Sequence, residues 1–170
     1  MPDELRGERV TLRPLAAHDV LRLVQIAAEP EVVRWWHEVT ERDLLDKIGP
    51  DADVLAFAVE HEGEVIGLVE STEENEPHYR HAGIDLFLAT AWHGRGLGAD
   101  TVRTLAHHLV HDRGHHRVTI DPAAANERAI RSYERVGFKR VGVLRQYERG
   151  RDGTWHDGVL LDLLADELDY

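Results

Sequence analysis

Apolar and polar positions change period several times along the chain, and each change predicts an element. Over residues 8–14, Val10 and Leu12 alternate with Arg9, Thr11 and Arg13, the pattern of a first strand that Pro14 ends. Over 16–29 the set Val20, Leu23, Val24 and Ala27 recurs at helical spacing with Asp19 near the start, and Pro30 stops that helix. Thr40 reads as the N-cap of a short acidic helix over 41–48, closed by Gly49 and Pro50. Residues 54–59 and 64–69 read as two strands of a hairpin turning at Glu60-His61-Glu62-Gly63. The polar run 70–77 is expected to be a loop. A buried strand follows over 83–89, with Ile84, Leu86 and Leu88 on one face and Asp85 and Phe87 on the other. Val102, Leu105, Ala106, Leu109 and Val110 then mark an amphipathic helix that starts at Leu97 and stops before Gly114. Residues 117–121 form a strand ending at Asp121-Pro122. Asn126 caps the next helix, where Asn126, Ile130, Tyr133 and Gly137 share a face. Two last strands, 138–147 and 154–164, are joined across 149–153 by a turn with the favoured Asp152-Gly153 pair.

Strand, phosphate-sized turn, helix, strand and helix over 83–138 outline a cofactor platform. In His93-Gly94-Arg95-Gly96-Leu97-Gly98 the glycines let backbone approach a ligand, successive N–H groups at the helix start can bind pyrophosphate oxygens, and Arg95 can add a charge. The spacing is neither that of a dinucleotide fold nor that of a P-loop. Asp85 has two readings. It faces a cleft, where it can take a proton from an amine, or it forms a structural ion pair with an arginine. Tyr133 faces the sheet, and its hydroxyl needs a partner. Trp35 and Trp36, in an extended chain, would point to opposite sides, either as an aromatic wall of a substrate cleft or as packing against the first helix. Glu70 and Glu73, nearest the sheet in the acidic loop, are candidates to attract substrate ammonium groups.

The 170 residues suit a single domain, 1–170, with a real core. The absence of cysteine removes disulfides, thiolate metal sites and a cysteine nucleophile together, and fits a reducing compartment. Met1-Pro2-Asp3-Glu4 has no basic or apolar leader character and no apolar run approaches a membrane span, so a cytoplasmic protein without a membrane partner is expected. A formal net charge of -12 argues against nucleic acid and suits a small cationic substrate. His107, His108, His111, His115 and His116 gather around a helix end, where solvation is expected. No H-E-x-x-H pattern accompanies them, so no metal site is expected.

From Gly83 onward the chain resembles the GNAT superfamily of acyl-CoA-dependent N-acetyltransferases. The pattern Gln/Arg-x-x-Gly-x-Gly/Ala is matched by His93 to Gly98, with His93 where Gln or Arg is usual; the second signature is Asn126, Ala129-Ile130, Tyr133 and Gly137-Phe138. Within the superfamily, Gly83-Ile84-Asp85, Gly96-Leu97-Gly98, the segment from Asp121-Pro122 through Arg128-Ala129-Ile130-Arg131 to Tyr133-Glu134, and the Trp35-Trp36 pair look like the aminoglycoside 6'-N-acetyltransferases. The resemblance implies an α/β (α+β) fold, a mixed, mostly antiparallel sheet of about seven strands flanked by about four helices.

The resemblance also implies acetyl-CoA as co-substrate, held by the backbone of Leu86, Phe87 and Leu88, by His93, Gly94, Arg95, Gly96, Leu97 and Gly98, and by Asn126, Ala129 and Tyr133. It implies direct transfer in a ternary complex, with the 6'-amine of an aminoglycoside as acceptor. Asp85 is then the base and Tyr133 the acid that protonates the departing thiolate. Asp121 holds substrate ammonium groups, and Trp35 or Trp36 lines the sugar site. Residues 149–165, with Gly153-Thr154-Trp155-His156-Asp157-Gly158, resemble instead acetyltransferases of protein N-termini and ribosomal proteins. Polyamines and siderophore precursors are further acceptors of similar sequences. The rival outside enzymes is an acyl-CoA-binding sensor. A monomer or homodimer is expected.

Overall fold

The computed structural model describes residues 3–168; Met1 and Pro2 of the expected leaderless N-terminal stretch lie outside them. The strands are β1 (Leu5–Arg6), β2 (Thr11–Pro14), β3 (Leu55–His61), β4 (Glu64–Glu74), β5 (His81–Leu88), β6 (Arg117–Ile120), β7 (Lys139–Arg149) and β8 (Trp155–Leu164). The helices are α1 (Val20–Ala27), α2 (Pro30–Val33), α3 (Glu41–Leu45), α4 (Leu97–His107) and α5 (Glu127–Val136). The strands form one sheet in the order β1-β2-β3-β4-β5-β6-β8-β7, antiparallel throughout except for the β5–β6 pair. This is the mixed, mostly antiparallel sheet that was expected, with eight strands among the described residues rather than about seven. The extra strand, β1, has two residues, too few to show a period.

The alternation along β5 divides the core between the two faces of the sheet. Ile84 and Leu88 join Val102 and Leu105 of α4, Leu109 just past its end, and Ile130 and Val136 of α5 on one face. Phe87 joins Leu23 and Ile26 of α1 and Leu44 of α3 on the other. Caps fix the helix starts. Thr40 Oγ1 accepts from the Asp43 N–H at 3.1 Å while Asp43 accepts from the Thr40 N–H at 2.9 Å, and Asn126 Oδ1 accepts from the Ala129 N–H at 3.3 Å. Among the described residues no helix is long and apolar enough to cross a membrane.

Three local expectations need correction. Glu70 to Glu74 are not loop; they extend β4, paired as far as Glu74 with His81. Their carboxylates are accommodated because alternation sends Glu70 into a cleft and Glu73 into an ion pair on the opposite face. Trp35 and Trp36 are not extended. Pro30 stands in the first turn of α2, where its fixed φ favours a helix, and the N–H groups of Trp35 and Trp36 both reach the Val32 carbonyl at 3.0 Å. His108 and His115 are buried rather than solvated, because α4 continues through a widened turn, His108–Asp112, and His115 beyond it bonds Glu73 of β4. His108 Nδ1 bonds Asp112 at 2.7 Å, and the His107 and His111 rings lie 4.6 Å apart.

The feature that positions the site is a split in the sheet. β5 pairs with β6 only where Ala82, Gly83 and Ile84 face Val118, Thr119 and Ile120. β6 then ends at Ile120, and the Asp121-Pro122 turn leads the chain away while β5 runs on to Leu88.

Candidate active site

The gap beside the second half of β5 is the centre of the site. β4 takes up the backbone of Asp85 and Phe87, so by alternation the backbone of Leu86 and Leu88 faces the gap. The Leu86 carbonyl accepts from Trp36 Nε1 at 2.9 Å, and the Leu88 carbonyl from His93 Nε2 at 2.7 Å. The Leu86 N–H is donated to Asp85 Oδ1 at 3.1 Å. Of the three backbone positions expected to face a reacting carbonyl, Leu86 is therefore engaged, and Phe87 turns toward β4 with its ring 4.9 Å from Trp36, nearly perpendicular. Leu88 has its N–H toward the gap.

The gap opens into a cavity of about 250 Å³ lined by Trp35, Trp36, Leu86, Phe87, Leu88, His93, Gly94, Gly96, Gly98, Asn126, Ala129 and Tyr133. Gly94 and Gly96 have φ of 73° and 78°, the left-handed region that favours glycine, and a side chain at Gly96 would meet the Arg9 guanidinium at 2.7 Å. The first N–H groups of α4 have no carbonyl partner within the helix, and the cavity runs past them. Two members of the expected turn contribute otherwise. Leu97 is core, and Arg95 lies 5.0 Å over the Trp92 ring, outside the lining. His93 bridges the cavity wall, because its Nδ1 accepts from Arg128 Nη2 at 3.0 Å while its Nε2–H is donated to Leu88. Those two bonds select the Nε2–H tautomer.

Arg128 lines the cavity and was missed as a site residue; its place in the first turn of α5, two residues past the Asn126 cap, is the signal that could have marked it. Asp100 was missed as well. Buried in the first turn of α4, it accepts the N–H groups of Glu8, Arg9 and Val10 at 3.0, 2.8 and 3.0 Å and so ties the N-terminal segment to the glycine turn. No local pattern announces it, because its donors lie at the far end of the sequence.

Asp85 lies on the opposite face of β5, directly across the β4–β5 pair from Glu70. Two cavities meet at Glu70 and Asp85. One, of about 430 Å³, is bordered by Thr72, Glu74, Thr119 and Asp121; the other, of about 470 Å³, by His37, Glu38, Asp43, Lys47 and Asp53. Water reaches Asp85 from the cleft, yet protein encloses the carboxylate on its other sides. That enclosure decides its titration. Burial pushes Asp85 up to about 7, and the charges of Glu70 and Asp121 add to the shift. Among the described residues no arginine or lysine is ion-paired with it, which removes the structural-pair reading. Tyr133, buried on α5, lines the gap; burial raises its hydroxyl well above the usual phenol range, and the Asp85 charge adds to that. Tyr147 donates to Asp121 Oδ2, which raises Tyr147 to about 12.

The structure thus brings Trp36, Glu70, Asp85, Asp121 and Tyr133 around one gap. Glu73 reaches only the border of the cleft. Its carboxylate is held by Arg113 Nη2 at 2.6 Å and by the buried His115 Nε2 at 2.5 Å. Burial works to raise its pKa, but those two bonds outweigh it and hold Glu73 below the usual range. Trp35 lies beneath the Arg34 guanidinium, 4.8 Å from its ring centre.

Residues 9–139 match the sequence family described as Acetyltransferase (GNAT) domain. The chain is 32% identical over 159 residues to the aminoglycoside N(6')-acetyltransferase type 1 of Klebsiella pneumoniae, covering 81% of this chain and 78% of that protein. It is 33% identical over 146 residues to the spermidine N(1)-acetyltransferase of Escherichia coli K12, covering 79% of this chain and 75% of that protein. The solved structure of the aminoglycoside acetyltransferase AAC(6')-Ib with coenzyme A and kanamycin superimposes with a TM-score of 0.75 at 29% identity, over 93% of this chain and 96% of that one. On this family match and these identities, the chain belongs to the GNAT acetyltransferase family.

Proposed function

We propose that the protein moves the acetyl group of acetyl-CoA to a primary amine of a small polycation, the 6'-amine of an aminoglycoside being the first candidate acceptor. The observation that carries this reading is Asp85, a carboxyl raised to about 7, between Glu70 and Asp121 at the mouth of the gap that Tyr133 lines. Glu70 and Asp121 attract ammonium groups, and the attacking nitrogen has to become neutral first. Asp85 accepts that proton. As nitrogen bonds to the thioester carbonyl carbon and the C–S bond breaks, the Leu88 N–H faces the developing oxyanion and Tyr133 supplies a proton to sulfur; the new amide nitrogen sheds its second proton to water, from which Tyr133 recovers its own. A hydroxyl with a raised pKa stays protonated until that moment, as a donor must. Residues 1–170 act as one catalytic domain in this reading.

The residues fit the co-substrate. Gly94, Gly96 and Gly98 leave room against the unpaired N–H groups of α4, where a pyrophosphate would be held, and Arg128 adds charge beside them. The relatives support the acceptor class, one acetylating aminoglycosides and the other spermidine. One observation favours the linear polyamine as a second reading. Trp36 is edge-on to Phe87 and Trp35 lies beneath Arg34, so part of the aromatic surface expected against a sugar ring is engaged. Coenzyme A release from acetyl-CoA is the test, with kanamycin, an aminoglycoside bearing a hydroxyl at the 6' position, spermidine and N-terminal peptides. Release with kanamycin but not the hydroxyl analogue supports the first reading. Release with spermidine alone selects the second, and release with peptides alone or with none overturns both.

A further inference from the structure

Lys47 follows α3 and reaches the sheet, where its Nζ donates to Glu70 Oε2. Side-chain exposures of 23% and 12% make this a largely sheltered pair. Glu70 is the direct cross-strand neighbour of Asp85, so the Lys47 ammonium stands one residue from the proposed base. Besides apolar residues and His37, the cavity around the pair is lined by the carboxylates of Glu38, Asp43, Asp46, Asp53 and Asp85, and Lys47 is the one lysine or arginine in that lining among the described residues.

We infer that Lys47 is a tethered substitute for an ammonium group of the acceptor, holding Glu70 while the cleft is empty and giving it up to a second ammonium of a polyamine acceptor. This rests on the reading of the cleft as the acceptor site. The attacking nitrogen must be neutral, so a monoamine has no ammonium left to exchange for Lys47. A polyamine has one. The exchange keeps Glu70 paired at every stage, and a half-buried carboxylate is never left bare.

The choice of side chain agrees with a pair made to be broken. Of the 20 lysines and arginines in the sequence, only Lys47 and Lys139 are lysine. Lys139 pairs with Glu167 on the surface. An arginine at position 47 could grip Glu70 through two parallel N–H groups, whereas lysine holds it as a single charge on a flexible stem that can swing into water.

The test combines Lys47→Met, Lys47→Arg and Glu70→Gln, with spermidine and a linear alkyl monoamine as probes. Binding is read by calorimetry, and KM is read for both acceptor and acetyl-CoA. Lys47→Met is expected to tighten spermidine binding and lower its KM about fivefold, the scale of a partly desolvated charge pair, with the KM for acetyl-CoA unmoved and the monoamine shifted about twofold or less. Lys47→Arg is expected to weaken spermidine binding, and in the Glu70→Gln background Lys47→Met is expected to change nothing. Equal shifts for both amines, a gain that survives Glu70→Gln, or no gain overturns the inference. Calorimetry reads the exchange without turnover. A wild-type protein that binds spermidine without acetylating it would therefore defeat the proposed activity and leave the exchange to stand or fall by its own variants.

Discussion

With its carboxyl raised to about 7, Asp85 is half ionised at neutral pH. In kcat/KM the limb belonging to Asp85 is expected to rise with pH and level off above about 7, because that ratio reports the free enzyme. Asp85→Asn is expected to remove this limb and lower turnover by about 10²–10⁴-fold, with CoA affinity kept. Unchanged turnover would take the base role from it. The same shift acts on stability. A carboxyl whose pKa is higher folded than unfolded binds its proton more tightly when folded, so the folded state loses stability as pH climbs from about 4, and the whole penalty stands above about 7. Asp85→Asn should therefore raise Tm at pH 8, by roughly 2–4 °C for each kcal/mol relieved, and leave it nearly unchanged at pH 4. Equal effects at the two values would contradict the shift. His93 makes a separate prediction. Glutamine can donate to the Leu88 carbonyl and accept from Arg128 as the imidazole does, so His93→Gln should keep the KM for acetyl-CoA, whereas His93→Ala should raise it by about three- to tenfold, the scale of a lost hydrogen bond. A KM raised equally in both variants would show that the bridge does not position Arg128.

At the scale of elements, Glu73 joins β4 to the end of α4 through Arg113 and His115. Glu73→Ala leaves a buried imidazole without its acceptor and should cost about 1–3 kcal/mol of stability in a denaturant titration, with the acceptor KM unmoved. A raised KM at unchanged stability would return Glu73 to the substrate. Because its folded pKa is depressed, the Glu73 contribution is present above the unfolded value, about 4.3, and is lost as pH falls through the folded value below it. The elements that were legible in the sequence, β5, α4, β6 and α5, carry their period in consecutive residues and end on local signals such as the Asn126 cap and Gly137. Pro30 is ambiguous because proline both stops one helix and starts another, and the Trp35–Trp36 turn depends on which of the two it does. The charges of Glu70 to Glu74 point to a loop, although a ladder partner and an ion pair on each face make a strand of them. Lys47 with Glu70, Asp100 with the N-terminal amides and Glu73 with His115 were not legible, since each joins residues whose proximity exists only after folding.

Over the whole molecule, a net charge of -12 surrounds a cleft lined by carboxylates. Association with a polycation should be steered by that field and screened by salt. The kcat/KM for a polyamine acceptor is expected to fall by about tenfold or more between low and molar ionic strength, while that for a monoamine falls much less. Parallel curves for the two would show that the field does not guide the acceptor. The split between β5 and β6 has a consequence for solubility. Beyond Ile84 the chain carries an unpaired strand edge, the kind of surface that recruits other chains into aggregates when it lies at the margin of a sheet. Here it lies in the interior of an eight-stranded sheet, with the Trp36 indole fastened to the Leu86 carbonyl and α5 alongside. A second strand could pair there only by entering between two strands of the same sheet, past the Trp36 indole and α5. The fold keeps an open edge for a guest while withholding it from other copies of the same chain.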